Sequence, residues 1–211
     1  MANPNQEAFQ AYKKYYIDRD YEQVDLFRLL KNKYRISKVI YPGCFIQISP
    51  SFIFSYVVYI DSDKNAIKYF SSQGLIEIIN QRREYPEGPQ INFHGIDYRN
   101  LIQEYRSMSD LLISQYAGFI SDACKPYLRT GGFLLVNNSH GDAGLASIDS
   151  DYKFISTVHR SRGKYRISDA SLDEYFIPKK DIQVTKELLL QRKKGIGYTK
   201  TASLYLFQKV T

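Results

Sequence analysis

Tyr56-Val-Val-Tyr-Ile60, followed at once by Asp61-Ser-Asp63 and then by Ala66, Ile67 and Phe70 at helical spacing, decides the reading of this chain. A short β-branched and aromatic run stopped by turn residues reads as a buried strand, and Asp63 is placed to cap the helix after it. Strand, turn and helix in that order build a parallel sheet, whose neighbouring strands need a crossover. Upstream, Lys38-Val-Ile-Tyr41 is a second such run, stopped by Pro42-Gly43. Only about a dozen residues separate the two runs, near the minimum for a crossover. The helix between them is therefore predicted to be short, over Pro50 to Phe54, with Ser49 as its cap and Pro50 at its first position.

Downstream the alternation continues. After Gly74 a helix is predicted through Leu75 and Ile79 to Arg83. Gln90 to Phe93 reads as a strand ending in Gly95-Ile-Asp97 before a helix over Tyr98 to Tyr105. Asp110 to Ser114 reads as a strand before a helix over Gly118 to Leu128, and Thr130-Gly-Gly132 opens a fifth strand, Phe133 to Val136. At the N-terminus, Gln6 to Tyr16 is periodic, and Asp20 with Gln23 has capping-box spacing ahead of a helix carrying Val24, Phe27 and Leu30 and ending near Lys33. Late in the chain the texture changes. Tyr152 to Val158, Ser161-Arg-Gly163 and Lys164 to Ile167 read as a hairpin, and Leu204 to Val210 as a last strand. These units predict an α/β fold, a Rossmann-like, doubly wound, mostly parallel sheet with antiparallel C-terminal strands and an N-terminal helical extension. The reading is one domain over 1–211: helices in 1–35, a nucleoside-binding core in 36–145, and antiparallel strands in 146–211.

The 211 residues are 44% apolar and 24% charged, a composition able to bury one sizeable core. The longest apolar run, Phe52 to Ile60, falls short of the roughly 18 to 20 residues of a membrane helix, and Met1 to Lys14 lacks a signal-peptide core. No membrane partner is expected. Two cysteines, Cys44 and Cys124, make neither a disulfide framework nor a cysteine-rich zinc site, which fits free thiols in a cytoplasmic protein. The formal charge of +7 would attract polyanions, so nucleic acid is a partner to consider. The basic residues are scattered, however, in Lys13-Lys14, Lys31 to Arg35, Lys179-Lys180 and Arg192-Lys193-Lys194, and no compact basic-aromatic motif is present.

In a doubly wound sheet, ligands bind outside the carboxyl ends of the parallel strands. An acid ending the second strand, Asp61, can accept from the vicinal hydroxyls of a ribose, and one after the third, Asp97, from an exocyclic amine of adenine. Two acids and a glycine turn point to a nucleoside-shaped ligand. The structural alternative is that both only cap helices. Metal ligation by His94 with Asp97, or by His140 with Asp142, would need a convergence the sequence does not carry, so no metal is expected. His159 falls in the hairpin, where a solvated ring is expected, and Cys44 reads as a small apolar side chain beneath its turn. No nucleophile elbow or phosphate-binding Gly-Lys-Ser loop occurs.

Tyr41-Pro-Gly43, Tyr59-Ile-Asp61, Gly95-Ile-Asp97, Asp110-Leu-Leu112 and Leu128-Arg-Thr-Gly-Gly132 fall in the order found in class I S-adenosylmethionine-dependent methyltransferases. The chain resembles that family over about residues 20 to 140. More narrowly, Tyr41-Pro-Gly43, Ser114-Gln-Tyr-Ala-Gly118 and Asn138-Ser-His-Gly-Asp142 resemble blocks of an uncharacterised bacterial branch. The resemblance implies a seven-stranded sheet, S-adenosylmethionine across the ends of strands one to four, and an acceptor over strands four and five. The cofactor would meet Tyr41, Pro42, Gly43, Cys44, Asp61, Ser62, Ile96, Asp97 and Ser114. The family's Gly-x-Gly-x-Gly loop is reduced here to Gly43, with Cys44 and Phe45 following.

Methyl transfer asks little beyond alignment and removal of a proton. His140 and Tyr116 are the expected catalytic groups, and Gln115, Tyr116, Asn138 and Asp142 the expected acceptor contacts. A histidine bonded to backbone at a strand end is the structural alternative for His140. Phe9, Tyr12, Tyr15 and Tyr16 would make an apolar lid, favouring a small-molecule substrate in an enclosed pocket lined by Tyr116 and His140. The expected function is a methyltransferase of a small acceptor. The alternative is a non-catalytic binding protein that keeps the fold without the cofactor loop.

Overall fold

The apolar runs that end in turn residues do form strands. In the computed structural model, which describes residues 4–192 and 194–211, with side chains from Gln6 onward, the chain divides after Asn100 into two units. Residues 1–3 of the N-terminal segment and Lys193 of the last basic cluster lie outside the described residues.

The N-terminal unit holds three parallel strands, β1 (Lys38–Pro42), β2 (Tyr56–Ile60) and β3 (Gln90–His94), with β2 in the middle. Its helices are α1 (Pro4–Tyr12), α2 (Val24–Lys33), α3 (Pro50–Ile53), α4 (Lys64–Phe70) and α5 (Gly74–Arg82). The predicted first helix ends at Tyr12 and runs on through one π-helical turn, Lys13–Ile17. Asp63 caps α4 as expected, accepting from the Asn65 and Ala66 amides at 2.7 and 3.2 Å. The Asp20 and Gln23 capping box does not form: Asp20 sits at φ +56°, and the cap residue of α2, Gln23, makes no side-chain capping bond. Spacing alone cannot supply the extended backbone that a cap needs. Ser49 precedes α3 without capping it, because its hydroxyl donates to Gln47 Oε1 at 2.6 Å.

The C-terminal unit holds β4 (Ser109–Ser114), β5 (Leu128–Val136), β6 (Tyr152–Ser161), β7 (Lys164–Ser168) and β8 (Leu204–Lys209). β4 and β5 are parallel. β8 inserts antiparallel between β5 and β6, and β7 completes the hairpin. The hairpin turn, Arg162-Gly163, has positive φ at both residues, the mirror-image turn whose twist matches two right-twisted strands. Three helices, α6 (Ile120–Ala123), α7 (Asp142–Ser147) and α8 (Lys186–Arg192), complete the unit.

Two predicted helices shrink. Over Tyr98 to Tyr105 only a 3-10 turn, Gln103–Tyr105, forms, since the Asp97 side chain organises a local turn by accepting from the Arg99 amide at 2.9 Å. Over Gly118 to Leu128, α6 stops at Ala123, and Pro126 sits in a 3-10 turn, Lys125–Tyr127. β5 accordingly begins at Leu128, earlier than predicted, and tolerates Gly131 at φ +79° beside a register shift against β4.

The architecture is the Rossmann-like α/β arrangement, mostly parallel with antiparallel C-terminal strands. The described residues carry eight strands where the resemblance implies seven. No helix among them is long and apolar enough to cross a membrane, and both cysteines are buried free thiols.

Candidate functional site

At the carboxyl end of β1 the chain turns sharply. Gly43 lies at φ +62° and donates its amide to Ile60 O at 2.8 Å, extending the β1–β2 ladder by one rung. Phe45, at φ +48°, turns its amide toward the Asp61 carboxylate and donates to Oδ2 at 2.7 Å. Asp61 Oδ1 accepts from the Asp63 amide at 2.8 Å. The acid after β2 thus ties the turn after β1 to the start of α4. Each carboxylate oxygen can accept twice, so one acceptor site remains on each, and the residue is half-buried. Tyr41, Pro42 and Cys44 are buried and Ser62 is exposed, which leaves Gly43 and Phe45 as the half-exposed part of this turn. Burial, with Asp61 adding to it, pushes the Cys44 thiol well up, consistent with a small packed side chain rather than a nucleophile.

At the end of β3, Ile96 and Asp97 are half-buried. The Arg99 guanidinium and amide engage the Asp97 carboxylate, with Nε at 2.9 and 3.1 Å from its two oxygens, and these bonds hold its pKa down at about 2. Asp97 organises a local turn, where the structural alternative had it capping a helix.

α1 packs on the turn after β1 from outside. Tyr12 is fully buried, its hydroxyl 2.9 Å from Ser49 Oγ, and its ring meets Phe52 edge-on at 5.8 Å. Tyr15 meets Phe45 edge-on at 5.1 Å. Tyr12 makes the N-terminal helix part of the core of its unit, whereas Tyr15, in the turn after it, stays exposed.

The C-terminal unit carries the other expected residues. After β4, Ser114 and Gln115 are buried, whereas Tyr116 is 71% exposed at φ +60°. The Asn137 carboxamide, directly after β5, gathers this region. Its Oδ1 accepts from the Tyr116 and Ser139 amides, both at 3.4 Å, and from Ser139 Oγ at 2.9 Å. Ser139 Oγ is also 3.0 Å from His140 Nδ1. Since the serine proton goes to Asn137, the histidine donates from Nδ1, and this assignment leaves the lone pair on Nε2. Asn137 is 6% exposed, and its Nδ2 has no partner among the described residues. Asn138 is half-buried, and its Oδ1 accepts from the Gly144 amide at 3.0 Å near the start of α7. A side chain at Gly195 would put its Cβ 2.4 Å from Asn138 O, so that glycine lets residues 194–197 lie against this loop.

Asp142 is 2% exposed and accepts from Ser114 Oγ, from Ser121 Oγ and from the Ser121 amide at 3.1 and 3.2 Å. Burial raises its pKa to about 6 against the pull of these bonds. It fastens the end of β4 to α6. His159 departs from the expected solvated ring, being half-buried with Nε2 3.1 Å from Tyr175 Oη, and its pKa is lowered by burial and by Arg166 and Lys200. No group of three metal-ligating side chains is assembled among the described residues.

Sequence reasoning passed over Asn137, Phe45 and Ser121. Asn137 carried a usable signal, since it directly follows the last apolar residue of β5. The other two act through backbone geometry and through partners far along the chain.

No family model and no curated protein matches the chain. A methyltransferase from Geobacter sulfurreducens is 16% identical with a TM-score of 0.49, over 75% of this chain and 84% of its own. A proposed S-adenosyl-L-methionine-dependent methyltransferase from Methanococcus maripaludis is 16% identical with a TM-score of 0.43, over 65% of each chain. A protein from Corynebacterium glutamicum is 12% identical with a TM-score of 0.45, over all of this chain and 91% of its own.

Proposed function

We propose that this chain binds S-adenosylmethionine through its N-terminal unit and methylates a small acceptor. The observation that carries the reading is the Asp61 carboxylate, half-buried after β2 and fixed by the Phe45 and Asp63 amides, with one acceptor site left on each oxygen. Those two sites fit a vicinal diol, and Gly43 offers backbone with no side chain in front of it. The residues present thus fit the nucleoside end of the cofactor. When bound, it supplies an activated sulfonium methyl group.

The chain's own residues then position an acceptor and receive a proton. In this reading His140 Nε2 is the basic atom, with Nδ1 held through Ser139 to Asn137, and Tyr116 and Gln115 flank the acceptor. The two buried free thiols fit a reducing compartment, the cytosol. A second reading, a binding protein without turnover, is favoured by Phe45, which stands at positive φ where the family keeps a small residue.

Calorimetry and melting with S-adenosylmethionine test the proposal. At a hundred times its dissociation constant the cofactor should add about 2.7 kcal/mol of stability. Asp61→Asn, which leaves one uncharged carboxamide oxygen to serve both an amide and the ribose, should lower affinity by about 1.5 to 3 kcal/mol. Absence of a shift at millimolar cofactor overturns the proposal. Binding without transfer of a labelled methyl group to any small acceptor would leave the second reading.

A further inference from the structure

Within the N-terminal unit, a cavity of about 270 Å³ opens between α1, the turn after β1 and α4. Ala11, Phe45 and Ile46 give it apolar walls, and Asn65, Lys68, Tyr69 and Ser72 line it from the α4 side. Asn65, Lys68 and Tyr69 fall at i, i+3 and i+4 on one face of α4, and Ser72 follows just past its end. Tyr69 is 6% exposed, and its hydroxyl, like that of Ser72, is buried with no hydrogen-bond partner among the described residues. Two unpaired hydroxyls beside one cavity are a cost that a bound oxygen reaching them would remove.

The charged groups facing the cavity are Glu7 and Lys68, one of each sign and both exposed. Neither is buried where it could compensate an ionised group inside, and Arg82, whose charge reaches the Tyr69 hydroxyl, is already paired with Glu22, so an ion entering the cavity would lose hydration without a free counter-charge. Desolvation pushes the Tyr69 pKa well up, so its hydroxyl keeps the proton it would donate. Cavities of roughly half this size, lined by apolar groups, hold a single aromatic ring (about 150 Å³).

We propose that this cavity is a binding site for a small uncharged molecule with a ring-sized apolar body and one hydroxyl or carbonyl oxygen, which pairs with Tyr69 and Ser72. The site is separate from the Asp61 carboxylate and stands whether or not the chain transfers methyl groups. Phe45 links the two, lining the cavity while giving its amide to Asp61.

Phenol, toluene and benzoate, titrated against the full chain by saturation-transfer NMR, test the proposal as the polar, apolar and charged forms of one ring. Phenol should bind saturably and about tenfold more tightly than toluene, a difference matching one hydrogen bond, with benzoate weaker than phenol. Tyr69→Phe and Ser72→Ala should each reduce phenol binding and leave toluene unchanged, and Ala11→Phe should exclude both. The proposal is overturned if phenol fails to saturate, so that solvent alone serves the hydroxyls, or if benzoate binds best. It is equally overturned if the phenol preference survives both hydroxyl deletions, which remove a single oxygen each, or if a folded Ala11→Phe still binds.

Discussion

Asp61 and Asp142 both follow strands of the parallel part of the fold, yet their surroundings give them different work. Asp61 is half-buried and accepts only backbone amides, from Phe45 and Asp63, each within a turn. Asp142 is buried and accepts from two serine hydroxyls and an amide, with its pKa raised to about 6 by desolvation. A carboxylate that orders backbone at a half-exposed edge keeps acceptor capacity for a ligand. One that neutralises buried hydroxyls has spent that capacity on the fold. Asp142, expected as an acceptor contact, therefore belongs to the scaffold that positions the end of β4.

The largest effect should come from the side chain that braces the Asp61 region from outside. Tyr12→Ala removes a fully buried ring together with its bond to Ser49 and should cost about 3 to 5 kcal/mol in urea denaturation. A loss below about 1 kcal/mol would make α1 a detachable cover instead of core.

Asp142 is next, and here the sign of the pH effect is decisive. Its folded pKa, about 6, lies above the ordinary carboxylate value, so the folded state keeps this proton to higher pH than the unfolded chain does. Its contribution is fully present below about pH 4 and is lost as pH rises through about 6, an effect of about 3 kcal/mol. The stability difference between the wild-type chain and Asp142→Asn should therefore change by that order between pH 4 and 7. A flat difference would mean that the carboxylate stays ionised among its serines.

Asp61→Ala deletes acceptors for two amides at a half-exposed site, and about 1 to 2 kcal/mol should be lost. If the loss matched that of Asp142→Ala, the contrast between the two acids would fail.

Much of this was legible in the chain, and the reasons differ by element. β1 and β2 are dense apolar runs stopped by turn residues, so Lys38 to Pro42 and Tyr56 to Ile60 were found nearly to the residue. The helix predicted over Gly118 to Leu128 is too long, because Pro126 cannot donate an amide to a continuing helix and sits instead in a 3-10 turn after α6 ends at Ala123. Asp61 could be picked out because strand ends face ligands, but its bond to Phe45 depends on a turn in another part of the chain. The same limit hid the burial of Asp142, whose partners Ser114 and Ser121 meet it only in the folded unit. The end of β5 at Val136 was legible, but which of the two asparagines after it ties Tyr116 to Ser139 depends on contacts made only in the folded unit, and it is Asn137.

Two aromatic residues at positive φ sharpen the comparison further. Phe45, at +48°, is half-buried, stacks edge-on with Tyr15 and gives its amide to Asp61. Tyr116, at +60°, is 71% exposed, and among the described residues its amide makes a long contact, 3.4 Å, to Asn137 Oδ1. A left-handed backbone costs a non-glycine residue about 1 to 2 kcal/mol, and glycine gives back roughly 0.5 to 1 of that through its freer unfolded chain. At Phe45 the lost packing outweighs the relief, so Phe45→Gly should destabilise. At Tyr116 no burial repays the strain, so Tyr116→Gly should raise stability by about 0.5 to 1 kcal/mol. If the ring is kept for an acceptor, the same variant should lower methyl transfer while leaving cofactor affinity unchanged. Tyr116→Asn, which tolerates this backbone, should share the lost turnover. A Tyr116→Gly chain less stable than wild type would show that the ring serves the fold, and Tyr116 would leave the candidate site.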